Sequence, residues 1–247
     1  MVVRASKRDP AYEIIQNVIN NKDKYTSLIN SSKASVYVKA TEEINDLKSK
    51  HIEKDKDKKA NEDQTALPTE SLLNTEGDTL LALNMVEMQL TLNYQAPNRY
   101  KEERTAYKQY GDKAGLFLPL FNEIDFNFYR NLVPLDGIVD VPVVSPISKT
   151  AILTYKYKLV ATLVESGKTV YKIKVIPRKA GNASVSGYIY INEEGWNINR
   201  LECSFYKGGL TFYDKFSISQ TYQQIEDSLW IPYRQAFSYE TKQGRSK

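Results

Sequence analysis

At 247 residues, with 41% hydrophobic and 26% charged side chains and a net charge of +4, the chain has the make-up of one large globular domain or two small ones. Lys and Asp are interleaved rather than gathered on one element, which argues against nucleic acid as a partner. One Cys (Cys203) and one His (His51) exclude an intrachain disulfide and a zinc site of about four Cys/His ligands, and no run of about 18 apolar residues marks a transmembrane helix.

The opening "MVVRASKRDP" lacks the apolar stretch of a signal peptide. Val2-Val3 reads as a strand end, as expected of a piece cut from a longer protein. Helix signals follow: Asp9 as N-cap, Pro10 at the first helical position, then Ala11, Ile14, Ile15, Val18 and Ile19 as an apolar stripe. Asn20-Asn21 is expected to end this helix (9–21), which packs on a sheet or serves as a lid.

"KASVYVKATEEI" alternates as a strand, with Ala34, Val36 and Val38 against Ser35, Tyr37 and Lys39. Residues 46–63 are then dense in mixed charge and poor in apolar side chains, and 46–80 reads as a charged, solvated, flexible insertion. A strand is expected at 84–94, and Arg99–Arg104 reads as strand or helix. "LFLPLFNEIDFNFYRNLVPLDG" is aromatic but broken by Pro119 and Pro134; it is expected to be a buried core segment capping one end of a barrel, the alternative being an exposed partner or membrane surface.

From about residue 150 the period becomes two. Tyr155, Tyr157, Leu159, Ala161 and Leu163 alternate with Lys156, Lys158 and Thr162, "ESGK" turns, and Tyr171, Ile173 and Val175 alternate with Lys172 and Lys174. "PRKAGN", the hairpin around Asn192-Glu193-Glu194-Gly195, and two further strands complete six strands of an antiparallel meander over 150–241. The 18 Tyr, against 8 Phe and 2 Trp, suit half-buried strands whose rings pack while their hydroxyls stay wet.

Catalytic signals are absent from the pattern. His51 sits in the charged insertion, a poor place for a preorganised base, and Cys203 alternates with Leu201 and Phe205 as a buried thiol would. Glu42-Glu43, Glu102-Glu103 and Glu193-Glu194 are adjacent pairs, which a strand splits between its two faces. No Gly-rich phosphate loop occurs, and the "NSS" and "NAS" sites at 30–32 and 182–184 match a glycosylation pattern that is common by chance. A concave apolar face is expected from Leu159, Ile173, Val175, Ile189, Ile191, Leu201, Phe205, Phe216 and Ile218; it either lines a cavity for a lipid or acyl chain or simply fills the core.

Five phrases together carry a family likeness: "DPAYEIIQNVINNKDKY", "FNFYRNLV", "SPISKTAILTYKYKLVAT", "YKIKVIPRKAGNASVSGYIYINEEGWNINRLECSF" and "ISQTYQQIEDSLWIPYRQAF". The chain resembles a domain of unknown function from large Gram-negative envelope proteins. There a carboxypeptidase-regulatory-like β-sandwich precedes the domain and an outer-membrane β-barrel follows it. The second half, through its "G.IYI…W.I" hairpin and "Q.Y", also resembles the periplasmic lipoprotein-carrier (LolA-like) fold, although the carrier's Arg-centred lid motif has no counterpart here.

The resemblance implies an α+β fold, mainly antiparallel β: a curled sheet or incomplete β-barrel with an N-terminal helix packed on it, forming a single LolA-like domain over 1–247. It implies a site at the periplasmic face or surface of the outer membrane and flanking modules as neighbours. The functional expectation is a non-enzymatic binding domain without cofactor or metal. It would hold an apolar ligand, a lipid, a lipoprotein or a partner domain; the alternative is a structural spacer with no ligand.

Overall fold

The computed structural model describes residues 8–27, 30–45, 80–96, 99–110, 126–135, 137–181, 183–211, 213–226 and 229–241. The chain forms two compact units, Met1–Asn30 with Leu120–Lys247, and Ser31–Pro119.

The inserted unit is a three-stranded antiparallel sheet of β1 (Ser31–Asn45), β2 (Leu80–Gln95) and β3 (Arg99–Tyr110), with β2 in the middle. β3 resolves the strand-or-helix ambiguity at Arg99–Arg104 in favour of strand. Its Tyr94↔Tyr100 and Gln95↔Arg99 pairs give it a short hairpin route from β2. Residues 46–79 of the charged insertion lie outside the described residues.

The larger unit holds the meander. Six antiparallel strands lie in sequence order: β6 (Tyr155–Glu165), β7 (Lys168–Pro177), β8 (Val185–Asn192), β9 (Asn197–Phe205), β10 (Tyr213–Glu226) and β11 (Leu229–Thr241). β6 and β11 are its edges, so the sheet does not close into a barrel. Pro232, which cannot donate to a ladder, accordingly sits on edge strand β11. Register shifts in the β6–β7, β8–β9 and β10–β11 ladders bend the sheet. The β6–β7 turn has positive φ at both Ser166 (50°) and Gly167 (78°), the signature of a type I′ hairpin.

One of those shifts corrects the simple alternation read from the sequence. Leu159 pairs with Ile173, but beyond the bulge Ala161 pairs with Lys172 and Leu163 with Val170. Ala161 and Leu163 therefore leave the core face that Tyr155, Tyr157 and Leu159 share.

Helix α1 (Ala11–Ser27) packs on β6 and β9. The Asp9 carboxylate accepts the Ala11 N–H at 3.0 Å and, from the same oxygen, the Leu159 N–H at 3.0 Å. One side chain thus caps the helix and occupies the donor freed near the β6 bulge. Ala11, Ile14, Ile15, Val18 and Ile19 are buried. The helix does not stop at Asn20-Asn21. Asn21 turns its amide back onto the Asn17 carbonyl (2.8 Å), and the buried stripe continues through Lys22, which is 2% exposed. Its ammonium donates to the Tyr129 carbonyl (3.2 Å) and Asn131 Oδ1 (2.6 Å), and desolvation lowers its pKa.

Between α1 and the sheet runs an irregular segment with a two-residue ladder, β4 (Leu132–Val133) with β5 (Val143–Val144), ending in the single turn α2 (Ala151–Thr154). Phe126, Phe128, Tyr129, Val133 and Leu135 are buried, as expected of a core segment; the part before Phe126 lies outside the described residues. The expectation that tyrosine hydroxyls stay wet fails here. Tyr155 donates to the Val144 carbonyl (2.5 Å), Tyr157 to the Pro146 carbonyl (2.7 Å), and Tyr129 accepts the Ile198 N–H (3.0 Å). A segment without regular ladders leaves backbone groups that need partners, and buried phenols supply them.

Candidate functional site

The nine apolar residues expected to face the concave side do share one face. In register, Leu159, Ile173, Ile189 and Leu201 form one row across β6 to β9, and Val175 and Ile218 lie in the next row with Cys203. Ile173, Val175, Ile189, Ile191 and Leu201 have no accessible surface; Phe205, Phe216 and Ile218 are buried and Leu159 is partly buried. They join one core with α1 and the 126–151 segment. A side chain facing a ligand-sized void would keep accessible surface, so those five touch protein only. Cys203 is buried in the same core, and burial pushes its thiol pKa up, which suits an inert thiol. His51 lies outside the described residues.

A cavity of about 320 Å³ opens instead at the end of the sheet where the β8–β9 hairpin turns, and none of the nine lines it. Its walls come from five places: Tyr25 of α1, Lys168 and Thr169 at the start of β7, Asn192, Glu194, Gly195 and Asn197 of the hairpin, Gln224 of β10 and Trp230 of β11. Lys168 and Glu194 pair with each other at 3.1 Å. The Tyr25 hydroxyl donates to the Gly195 carbonyl at 2.6 Å, and burial raises its pKa.

Asn192 and Asn197 face each other across the last rung of the β8–β9 ladder and are 5% and 1% exposed. Asn192 Oδ1 accepts from Asn199 (3.1 Å) and Asn197 Nδ2 donates to the Ile198 carbonyl (3.3 Å). Their other amide atoms, Asn192 Nδ2 and Asn197 Oδ1, have no partner among the described residues. Orphaned buried polar atoms cost about 1–3 kcal/mol each, which makes a pair of them beside a cavity a functional signal.

The turn is built to an unusual pattern. The left-handed position falls at Trp196 (φ 51°), where Gly or Asn would be usual, while the glycine stands one residue earlier. Space explains the glycine: a Cβ at Gly195 would stand 2.5 Å from Asn197 Oδ1 and 2.8 Å from the Tyr25 hydroxyl. Trp196 then lies flat on Tyr171, centroids 6.3 Å apart and planes at 8°. Tyr171 donates its hydroxyl to the Glu193 carboxylate, which lowers the Glu193 pKa from its ordinary value.

The lining thus offers amides, hydroxyls, one indole and a self-paired cation and anion. Sequence reasoning singled out the turn but not its neighbours, because Tyr25, Gln224 and Trp230 arrive from distant elements and form no local motif. Among the described residues no cluster of three His, Cys, Asp or Glu is placed to hold a metal ion, and no helix is long and apolar enough to cross a membrane.

Fold and site together define an α+β domain: an open, bent antiparallel sheet, an N-terminal helix on one face and a polar cavity at a hairpin end. The chain belongs to the family of unknown function DUF5686, whose profile matches residues 14–247. None of the curated proteins matches it. Among solved structures it is similar to an outer membrane lipoprotein-sorting protein domain from Vibrio parahaemolyticus, at 12% identity and a TM-score of 0.34 over 93% of this chain and 86% of that one. It is also similar to a DUF1329 family protein from Desulfovibrio piger, at 10% identity and a TM-score of 0.31 over 96% and 95% of the two chains.

Proposed function

We propose that this chain is a non-enzymatic binding domain acting outside the cytoplasm at the Gram-negative outer membrane, and that it takes its ligand in the hairpin-end cavity. The observation that carries the reading is the cavity wall itself. Two almost fully buried asparagines of that wall hold amide atoms without a partner among the described residues, beside a space of about 320 Å³. The envelope location is supported by the resemblance of 9–25, 126–133, 145–162, 171–205 and 218–237 to a domain of envelope proteins.

A second reading places a lipid or a lipoprotein acyl chain between the sheet and α1. The wholly apolar row from Leu159 to Leu201 favours it, and α1 would have to lift, because those side chains are already covered. A spacer that joins flanking modules needs neither site.

Methyl- and indole-detected NMR separates the three. Palmitate and, separately, a low-molecular-weight extract of Gram-negative envelopes are titrated into the labelled protein, and the extract is checked by mass spectrometry for turnover. Shifts confined to Thr169, Trp196 and Trp230, with every component of the extract recovered unchanged, support the proposal. Palmitate shifts at Ile173, Val175, Ile189 and Leu201 replace it with the second reading, no shift anywhere replaces it with the spacer, and turnover of a component overturns its non-enzymatic part.

A further inference from the structure

We infer that the ligand of the hairpin-end cavity is a neutral, hydroxyl-rich ring compound, a saccharide unit in chemical class; this rests on the binding reading above. Charge comes first. The cation and anion in the lining, Lys168 and Glu194, satisfy each other at 3.1 Å, and the remaining lining side chains are uncharged. An ionic ligand would shed its hydration without meeting a free counter-charge, so the wall selects against it.

Hydrogen bonding comes second. Among the described residues, Asn192 Nδ2 lacks an acceptor and Asn197 Oδ1 lacks a donor, on residues that are direct cross-strand partners. A hydroxyl is the smallest group that both accepts and donates, and vicinal hydroxyls present several such groups at close spacing. Both amide atoms are covered, so a ligand hydroxyl reaches them only once each amide turns toward the cavity that its residue lines. Gly195 lets these groups pack closely against the turn: a Cβ there would crowd Asn197 Oδ1 at 2.5 Å and the Tyr25 hydroxyl at 2.8 Å. The strained Trp196 turn lets the glycine occupy this position.

Shape comes third. A sugar ring has a polar edge and an apolar C–H face, and the cavity sets the indole of Trp230 among the amides of Asn192, Asn197 and Gln224. Its volume of about 320 Å³ suits one or two rings. Ligand cavities run from about 300 to 1,000 Å³, and this one sits at the small end.

The chain's two tryptophans, Trp196 and Trp230, both stand at this end, so intrinsic fluorescence reports on the cavity. The titrants are neutral mono- and disaccharides (glucose, galactose, N-acetylglucosamine, maltose), glucuronate, inorganic phosphate, glycylglycine, and phosphatidylcholine vesicles with and without digalactosyl lipid. The expected result is a saturable change with at least one neutral sugar, free or vesicle-borne, and none with the charged titrants or the dipeptide. Gln224→Ala should weaken it about tenfold or more, the loss expected when a hydrogen bond to a ligand is removed, and Gly195→Ala should weaken it as much by displacing Asn197 and Tyr25. Ser217→Ala, on the exterior of β10, should leave it unchanged, and thermal unfolding checks that each variant is folded.

Binding of glucuronate, phosphate or glycylglycine that the two variants abolish overturns the ligand class and leaves the cavity as the binding site. Sugar binding that survives in both folded variants overturns the cavity reading. Absence of binding by every neutral sugar overturns the inference. The vesicle arm tells a membrane glycolipid from a free sugar.

Discussion

Tyr25 and Gly195, 170 residues apart in sequence, are joined by a hydrogen bond of 2.6 Å from the tyrosine hydroxyl to the glycine carbonyl. It fixes the last turns of α1 to the β8–β9 turn and so sets one wall of the cavity. The Tyr25 ring also packs on Tyr129 at 5.8 Å, independently of the hydroxyl. Tyr25→Phe should therefore keep the packing and lose only the bond, costing about 1 kcal/mol in urea unfolding. Amide exchange should speed up at Gly195–Asn197. A variant as stable as wild type, with unchanged exchange, would show that the bond does not hold the turn.

Two glycines with positive φ should respond very differently to alanine. At Gly187 (φ 153°) a Cβ would stand 2.0 Å from the Glu202 carbonyl oxygen and 2.9 Å from Cys203 Cα, both backbone atoms of the adjacent β9. Gly187→Ala must push two paired strands apart, and should cost at least about 3 kcal/mol or prevent folding. At Gly167 (φ 78°) a Cβ meets nothing within 4 Å, so Gly167→Ala should cost only the conformational strain, about 1–2 kcal/mol. Melting temperatures of the pair test the ranking; equal losses would contradict it.

Stability should fall on the alkaline side. Burial holds the Tyr129, Tyr155 and Tyr157 phenols above their ordinary value near 10 and the Cys203 thiol above its ordinary value near 9. The unfolded chain gives up these protons first, so it binds fewer than the native state and unfolding becomes easier as pH rises through about 9 to 11. Each group contributes up to about 1.4 kcal/mol per pH unit there. Lys22 works the other way, because its lowered folded pKa makes the unfolded chain the better proton binder below 10.5. Tyr25 and Tyr213, also raised by burial, add to the four, so Lys22 is outweighed and the net slope stays negative. Urea midpoints across this range, with phenolate absorbance rising together with unfolding, check it, and Tyr155→Phe should flatten the slope.

The meander could be read from the sequence because its cause is local: period-two alternation between turn residues such as Ser166-Gly167 dictates neighbouring antiparallel strands. The start of α1 was equally local, through Asp9 and Pro10. Its true end was not, because Lys22 is polar in sequence yet buried by neutral acceptors on Tyr129 and Asn131, more than 100 residues away. The shared face of Ile173, Ile189 and Leu201 was legible, but how far that face is covered depends on the irregular path of 126–151. The cavity was beyond local reading for the same reason. Its asparagines look like ordinary turn flanks until the helix end, Gln224 and Trp230 are brought beside them.

Trp196 tests whether the strained turn is held for its indole. Its left-handed backbone costs about 1–2 kcal/mol, which Trp196→Gly would relieve. Against this stand the stack on Tyr171, worth about 0.5–1.5 kcal/mol, and the partial burial of a large ring, worth roughly 1–2 kcal/mol. Glycine also adds about 0.5–1 kcal/mol of chain entropy to the unfolded state. The losses outweigh the relief, so Trp196→Gly should unfold about 1 kcal/mol more easily than wild type. A double-mutant cycle with Tyr171→Ala should recover a coupling of about 1 kcal/mol between the two rings. A glycine variant more stable than wild type would mean that strain dominates and that the indole contributes little to holding the turn.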